Sequence, residues 1–319
     1  MWSYLARRLV QAVVILFIIT ILCFILTRLS SDPMAQYANR PGLTEADRET
    51  IRKSLGLDQP VPVQYFKWIG LALQGDLGDS FFSKQPVLLM IKQRLPMTLI
   101  LMVTAEVFII ITSLILGLVA ALKQYSFIDN LITSLSFIAY SMPIFFIALG
   151  CILIFAVKFK LWGLPYLPTG ADIWNPKDPI EMARHLVLPV FCLVAIQTAG
   201  YSRFLRSSIL EVLSLDYVRT ARAKGLPTRT VLFKHALRNA VLPFVTIIGL
   251  DIPFLLGGAL VTESVFSWPG MGRLFWEYAQ RGDYPVVLGV LLLTSSAVVF
   301  VTIIVDLIYT VVDPRIRFS

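Results

Sequence analysis

The sequence predicts an all-α integral membrane protein, a bundle of six transmembrane helices, and three observations carry that prediction. Hydrophobic residues make up 57% of the chain and charged residues only 15%, with a mean hydropathy of +0.75, far more apolar than a soluble domain. Six nearly charge-free runs, Leu9 to Leu29, Pro96 to Leu122, Leu131 to Val157, Leu186 to Ser202, Ala240 to Thr262 and Val286 to Val312, have the length of membrane spans. A helix needs about 20 residues to cross a hydrocarbon layer of about 30 Å. The short alternating segments of a β-barrel are absent from the sequence.

Arg7 and Arg8 precede the first run as they would in a signal peptide, but the run is too long and no A-x-A cleavage pattern follows, so it reads as a retained anchor. From Ser30 to Arg94 the chain leaves the membrane. Thr44 and Asp47 have capping-box spacing, which predicts a helix from Glu45 to Ser54 ended by Gly56. Val63 to Leu73 repeats aromatic and aliphatic residues at helical spacing, Gly75 to Gly78 makes a turn, and Pro86 to Arg94 reads as a further amphipathic helix. This segment is either a packed cap that meets a delivery protein or a linker lying on the membrane. Composition supports both.

The charges set an orientation. With both termini on the cytoplasmic side, that side carries thirteen cations against four acids, Asp129, Glu211, Asp216 and Asp313. Retention of cations inside favours this topology. The net charge of +8 is mostly this excess, and it gives no sign of nucleic-acid binding. Cys23, Cys151 and Cys192 are far apart in sequence and read as small packing residues. His185 and His235 have no partner at metal-ligand spacing, and His185 reads as interfacial.

Three acids fall inside the spans: Glu106, Asp251 and Asp306. A charge at membrane depth costs on the order of 3 kcal/mol or more unless paired or wet, so each is expected to face the bundle interior. Asp251, between Gly249 and Pro253, is the first candidate for a transport pathway and Glu106 the second, with a structural hydrogen bond as the competing role for each. The turn before the last span, with Glu263, Phe266, Trp268, Pro269 and Gly270, offers a candidate external gate or contact for a delivery protein. Gly270 and Gly272 allow its reversal, and Leu274 to Gln280 is expected to lie as a small interfacial helix.

The most ordered polar stretch runs from Asp216 to Pro243. It carries Arg219, Arg222, Lys224, Arg229, Lys234 and Arg238 against Asp216 alone. Leu210, Leu213, Tyr217, Ala221 and the stem of Lys224 recur at the spacing of one buried helix face, and Ala221 and Ala223 are expected to be buried with it. Gly225 and Pro227 stop that helix, and Thr228 is placed to cap the next, which predicts two short helices meeting at a cationic elbow. A topology signal needs no such order. The elbow therefore reads as a docking element for another protein.

No phosphate-binding G-x-x-x-x-G-K-[ST], no H-E-x-x-H and no G-x-S-x-G occurs, so the chain is not expected to be an enzyme or to hydrolyse nucleotide. The stretch from Tyr217 to Pro243 resembles the EAA loop of inner-membrane permease subunits of binding-protein-dependent ABC importers. Arg219, Thr220 and Ala221 stand at the Glu-Ala-Ala positions and Gly225 at the glycine. The Arg-Thr-Ala departure is similar to the branch importing dipeptides, oligopeptides and nickel. Tyr4-Leu-x-Arg-Arg8, Gly75-Asp-Leu-Gly78, Arg94-Leu-Pro-x-Thr98, Glu263-x-Val-Phe-x-Trp-Pro-Gly270 and Asp313-Pro-Arg315 extend the resemblance along the chain.

The resemblance implies a type I ABC importer permease fold in a bacterial or archaeal plasma membrane. Residues 1–30 would hold the first span, 31–95 an extracytoplasmic segment, and 96–319 a five-helix core with its coupling loop at about 207–239. It implies a second, homologous permease subunit, two cytoplasmic ATPases and an extracytoplasmic binding protein. ATP and Mg would sit in the ATPases, with no cofactor in this chain. Asp216, Tyr217, Arg219, Thr220, Ala221, Arg222, Ala223, Lys224 and Gly225 would then couple the permease to its ATPases. Peptide is the implied cargo, with nickel, glutathione or an oligosaccharide as alternatives. An ion-coupled secondary transporter would instead need an internal repeat, and the sequence shows none.

Overall fold

The computed structural model describes residues 2–30, 34, 44–54, 56–170, 175, 178–258 and 260–312. All regular structure among them is helical, and six helices are long and apolar enough to cross a membrane. The terminal Asp313-Pro-Arg315 motif lies outside the described residues. The chain divides into two compact units, Met1–Met97 with Gly270–Ser319 and Thr98–Pro269.

In the first unit, α1 (Trp2–Ser30) packs along α12 (Tyr284–Val312). Between α1 and the next spans come α2 (Glu45–Ser54) and α3 (Val61–Leu73). The capping box forms as predicted: Thr44 N–H donates to Asp47 Oδ2 at 3.0 Å, and Asp47 N–H donates back to Thr44 Oγ1 at 3.2 Å. Tyr65 of α3 is buried against Phe24 of α1 and Leu288 of α12, and its hydroxyl meets Thr20 Oγ1 at 2.9 Å. A second cluster joins Leu77, Val87, Met90 and Ile91 to Met271 and Leu274 of α11 (Met271–Gln280) and to Val286 and Val290 of α12. The segment is thus a packed cap. Apolar side chains from both ends of this unit pack against Tyr65 and Leu77, which a linker merely lying on the membrane would not require.

The predicted helix at Pro86 to Arg94 and the predicted span from Pro96 are one helix, α4 (Val87–Leu122). Pro96 removes one hydrogen bond to the preceding turn but does not end the helix, since Val87, Met90 and Ile91 ahead of it are held by the cluster just described. The opposite correction applies to the third span. Pro143 splits it into α5 (Phe127–Ser141) and α6 (Ile144–Cys151), and α6 runs on through a π-helical segment, Ile152–Lys158, to Leu161. The apolar length that crosses a membrane here is Ile144–Leu161.

In the second unit, α7 (Pro179–Leu213) is the central element, packed against α5, α6 and the long helix of residues 228–258. It is much longer than Leu186 to Ser202 because Asp178 caps its start, accepting from Ile180 N–H at 2.9 Å, and because polar residues continue the helix beyond the apolar run. His185 is buried within α7. Helix α8 (Asp216–Ala223) follows, then α9, which starts at Thr228–Thr230, widens into a π-helical segment at Val231–Leu237 and continues as Arg238–Gly258. Helix α10 (Leu260–Val265) completes the unit.

Cys151 and Cys192, far apart in sequence, meet with sulfurs 3.9 Å apart as free thiols in a core that includes Phe266. The reversal after α10 is made by Ser267 at φ 56°, whereas Gly270 has φ −104°. A non-glycine residue holds this conformation because the loop is pinned from outside. Gly170 N–H donates to Phe266 O at 2.8 Å, and a Cβ at Gly170 would stand 2.4 Å from Ser267 O, so only glycine fits against this turn.

Candidate functional site

The cationic elbow forms, with altered details. Leu213 ends α7, and Val218 of α8 is fully buried with Ala221 and with Val231 of α9, against Val212 and Leu213. This apolar plug fixes the angle between the helices. Val218, not Tyr217, is the buried residue of the first turn, because the chain breaks at Ser214 and Leu215 and restarts the helical phase. Tyr217 lies at the surface, where its hydroxyl donates to His235 O at 3.3 Å and accepts from Asn239 Nδ2 at 2.8 Å. These bonds tie α8 to the start of α9 a second time.

Gly225 takes φ +73° and closes α8 as expected. Thr228 makes no cap. Pro227 stands at the N-cap position, and the helix that follows is the beginning of the fifth span, not a second short helix. Ala223 is exposed, contrary to expectation, together with Asp216, Arg219, Thr220, Arg222 and Lys224. The pair Arg219–Asp216, at 3.6 Å with both side chains largely in solvent, contributes little to stability. What remains is a short rigid helix presenting small side chains and cations outward.

Above the elbow, charge is handled differently. Asp129, in the first turn of α5, is almost completely buried and receives a bidentate pair of bonds from Arg206 of α7, Nε at 2.8 Å and Nη2 at 2.7 Å, with a third from Tyr125 N–H at 2.9 Å. The Arg206 guanidinium holds the Asp129 carboxyl below the usual carboxylate range. Ser208 Oγ donates to Ala240 O at 2.9 Å, joining α7 to α9 two residues further on. These contacts tie α8 to α7 and α9, and Arg206 ties α7 to α5. Sequence reading missed this pair, although Ser126 and Asp129 have the spacing of a helix start, and Ser126 Oγ does accept from Asp129 N–H at 3.3 Å.

Deeper in the same unit, Tyr201 of α7 donates to Asp251 Oδ2 of α9 at 2.7 Å, and Glu106 of α4 lies within electrostatic range of both. The two pathway candidates thus belong to one cluster. Tyr201, buried at this depth with a polar tip, is the member that sequence reading overlooked. The gate candidates are placed differently from what a docking surface requires. Glu263 is fully buried and accepts from Thr98 Oγ1 at 2.6 Å, while Phe266 and Trp268 are buried, Pro269 is half-buried and Gly270 is buried. The side chains of Glu263, Phe266 and Trp268 are turned inward, and Pro269 keeps part of its surface exposed.

Residues 113–318 match the family described as binding-protein-dependent transport system inner membrane component, and residues 1–102 match the N-terminal region of such membrane components. The chain belongs to this family. It is a multi-pass permease of a binding-protein-dependent ABC importer, not an enzyme, and it works with ATPase and substrate-binding partners. It is 41% identical to the oligopeptide transport system permease protein AppB of Bacillus subtilis and 38% identical to the glutathione transport system permease protein GsiC of Escherichia coli K12, covering 100% of both chains in each comparison. A putative peptide permease protein of Brucella suis is 40% identical over the same full extent. Among solved structures, an amino acid ABC transporter crystallised with histidines matches with a TM-score of 0.50 at 15% identity, over 71% of this chain and 94% of that one. At that identity the likeness speaks for the permease fold alone.

Proposed function

We propose that this permease forms half of the translocation pathway of an importer for di- and oligopeptides, paired with a second, homologous permease subunit in the plasma membrane of a bacterium or archaeon, both termini cytoplasmic. The observation that carries the reading is the elbow: a short helix, braced by a buried plug on one face and cationic on the other, at the end of two long helices. The residues from Asp216 to Gly225 dock into a cytoplasmic ATPase, which holds ATP and Mg. Closure of the ATPases moves α8, and its bracing converts that movement into a tilt of α7 and α9. Glu106 and Asp251 face the cargo. The turn from Glu263 to Gly270 serves as an external gate that moves as a packed piece, since its side chains are turned inward. The peptide-permease relatives support peptide as cargo, and the glutathione permease supports the tripeptide-like thiol as the second reading.

Uptake into proteoliposomes tests this. The complete importer should accumulate labelled trialanine only with ATP inside and binding protein outside, and glutathione is the competing probe. Uphill accumulation by the isolated chain with no second component would overturn the reading.

A further inference from the structure

We infer that the cluster of Glu106, Tyr201 and Asp251 is a recognition site for the α-ammonium group of the peptide in transit. The inference rests on the peptide reading above and adds a chemical selectivity within the permease itself.

Two independent observations carry it. Glu106 is only 9% exposed, and both of its carboxylate oxygens are buried with no hydrogen-bond partner among the described residues. Asp251, half-buried and within electrostatic range of Glu106, is held by one donor, the Tyr201 hydroxyl at 2.7 Å. Two acidic side chains therefore share a small volume at membrane depth, where an unmatched charge is costly.

Among the described residues, no cation bonds to either carboxylate. Residues 98–122 of α4, 185–202 of α7 and 239–251 of α9 contain neither Lys nor Arg. The next two cations along α7 are engaged elsewhere. Arg203 stacks over Phe137 and Tyr140 at 4.6 and 5.1 Å and donates to Ala199 O, and Arg206 is bound to Asp129. A cation carried by the cargo would supply the matching charge.

The donor set selects its chemistry. Two carboxylates and a phenol oxygen match the three N–H donors of a primary ammonium, which needs only acceptors. No group of three or more metal-ligating residues occurs among the described residues, and the cluster has no imidazole or thiol to suit a transition metal such as nickel. The site also suits passage rather than storage, because one carboxylate is bound internally and the other is free to exchange partners.

The test compares trialanine with N-acetyl-trialanine, each supplied in saturating amount to the complete importer in proteoliposomes. The intact importer should take up trialanine at least about tenfold faster, the size of effect expected for one charge-assisted hydrogen bond. Glu106→Gln combined with Asp251→Asn should bring the ratio to within about twofold of unity. Glu106→Asp, which keeps the charge, should preserve the preference, a rescue that a merely structural role would not show. A double variant that keeps the full preference overturns this inference and leaves peptide import standing. An intact importer that hydrolyses ATP with its binding protein yet moves neither peptide overturns the peptide reading and this inference with it.

Discussion

Two acidic sites in the same unit, about equally buried, are built in opposite ways. Asp129 is saturated, with a bidentate guanidinium and a backbone N–H on its oxygens. Glu106 has no hydrogen bond on either oxygen, and its neighbour Asp251 has a single phenol donor among the described residues. A carboxylate whose bonding is completed by its own chain holds helices together. One left incomplete at comparable burial is, on the proposal above, open to a partner that comes and goes.

The contrast can be broken most forcefully at Arg206. Arg206→Ala leaves Asp129 buried without its cation and should cost about 3 kcal/mol of stability, read as a lowered thermal unfolding midpoint of the purified protein. Adding Asp129→Asn should restore much of the loss. If the double variant is as unstable as the single one, the charge imbalance is not the cause. The same pair gives an acid limb. Because the folded-state pKa of Asp129 is depressed, its contribution is fully present above the unfolded value of about 3.9 and is lost as pH falls through the lower, folded one. Thermal midpoints measured from pH 6 downward should therefore fall less steeply in Asp129→Asn than in the unaltered protein.

At the other site the prediction reverses. Glu106→Gln removes a buried carboxylate with no hydrogen-bond partner among the described residues, so its unfolding midpoint should equal or exceed that of the unaltered protein while trialanine uptake drops. Destabilisation by Glu106→Gln comparable to that of Arg206→Ala would erase the distinction. Tyr201→Phe removes one hydrogen bond and should cost about 1 kcal/mol in the same melt, well below the loss in Arg206→Ala.

Much of this was legible in the sequence, for reasons that differ by element. The elbow was visible because Gly225 and Pro227 impose backbone geometry locally, and so was the capped helix from Glu45, since Thr44 and Asp47 satisfy each other within one turn. Proline was the less reliable mark: Pro143 breaks its segment while Pro96 and Pro189 lie inside helices, and only the packing around them separates the cases. The face of α8 was misjudged by one residue because a helical repeat was carried across Ser214 and Leu215, where the phase restarts. Pairings between distant residues, Asp129 with Arg206 and Asp251 with Tyr201, leave no periodic trace. They follow from how α5 and α9 lie against α7.

On the proposed mechanism, force enters the permease through α8. Reversing Arg219, Arg222 and Lys224 to Glu in the assembled importer, followed by parallel measurement of cargo-stimulated ATP hydrolysis and peptide uptake, tests it most directly. The account predicts that the spans still insert and the plug of Val218, Ala221 and Val231 still forms, while uptake is lost and hydrolysis no longer responds to cargo. Cargo-stimulated hydrolysis and uptake at the rates of the unaltered importer would contradict it.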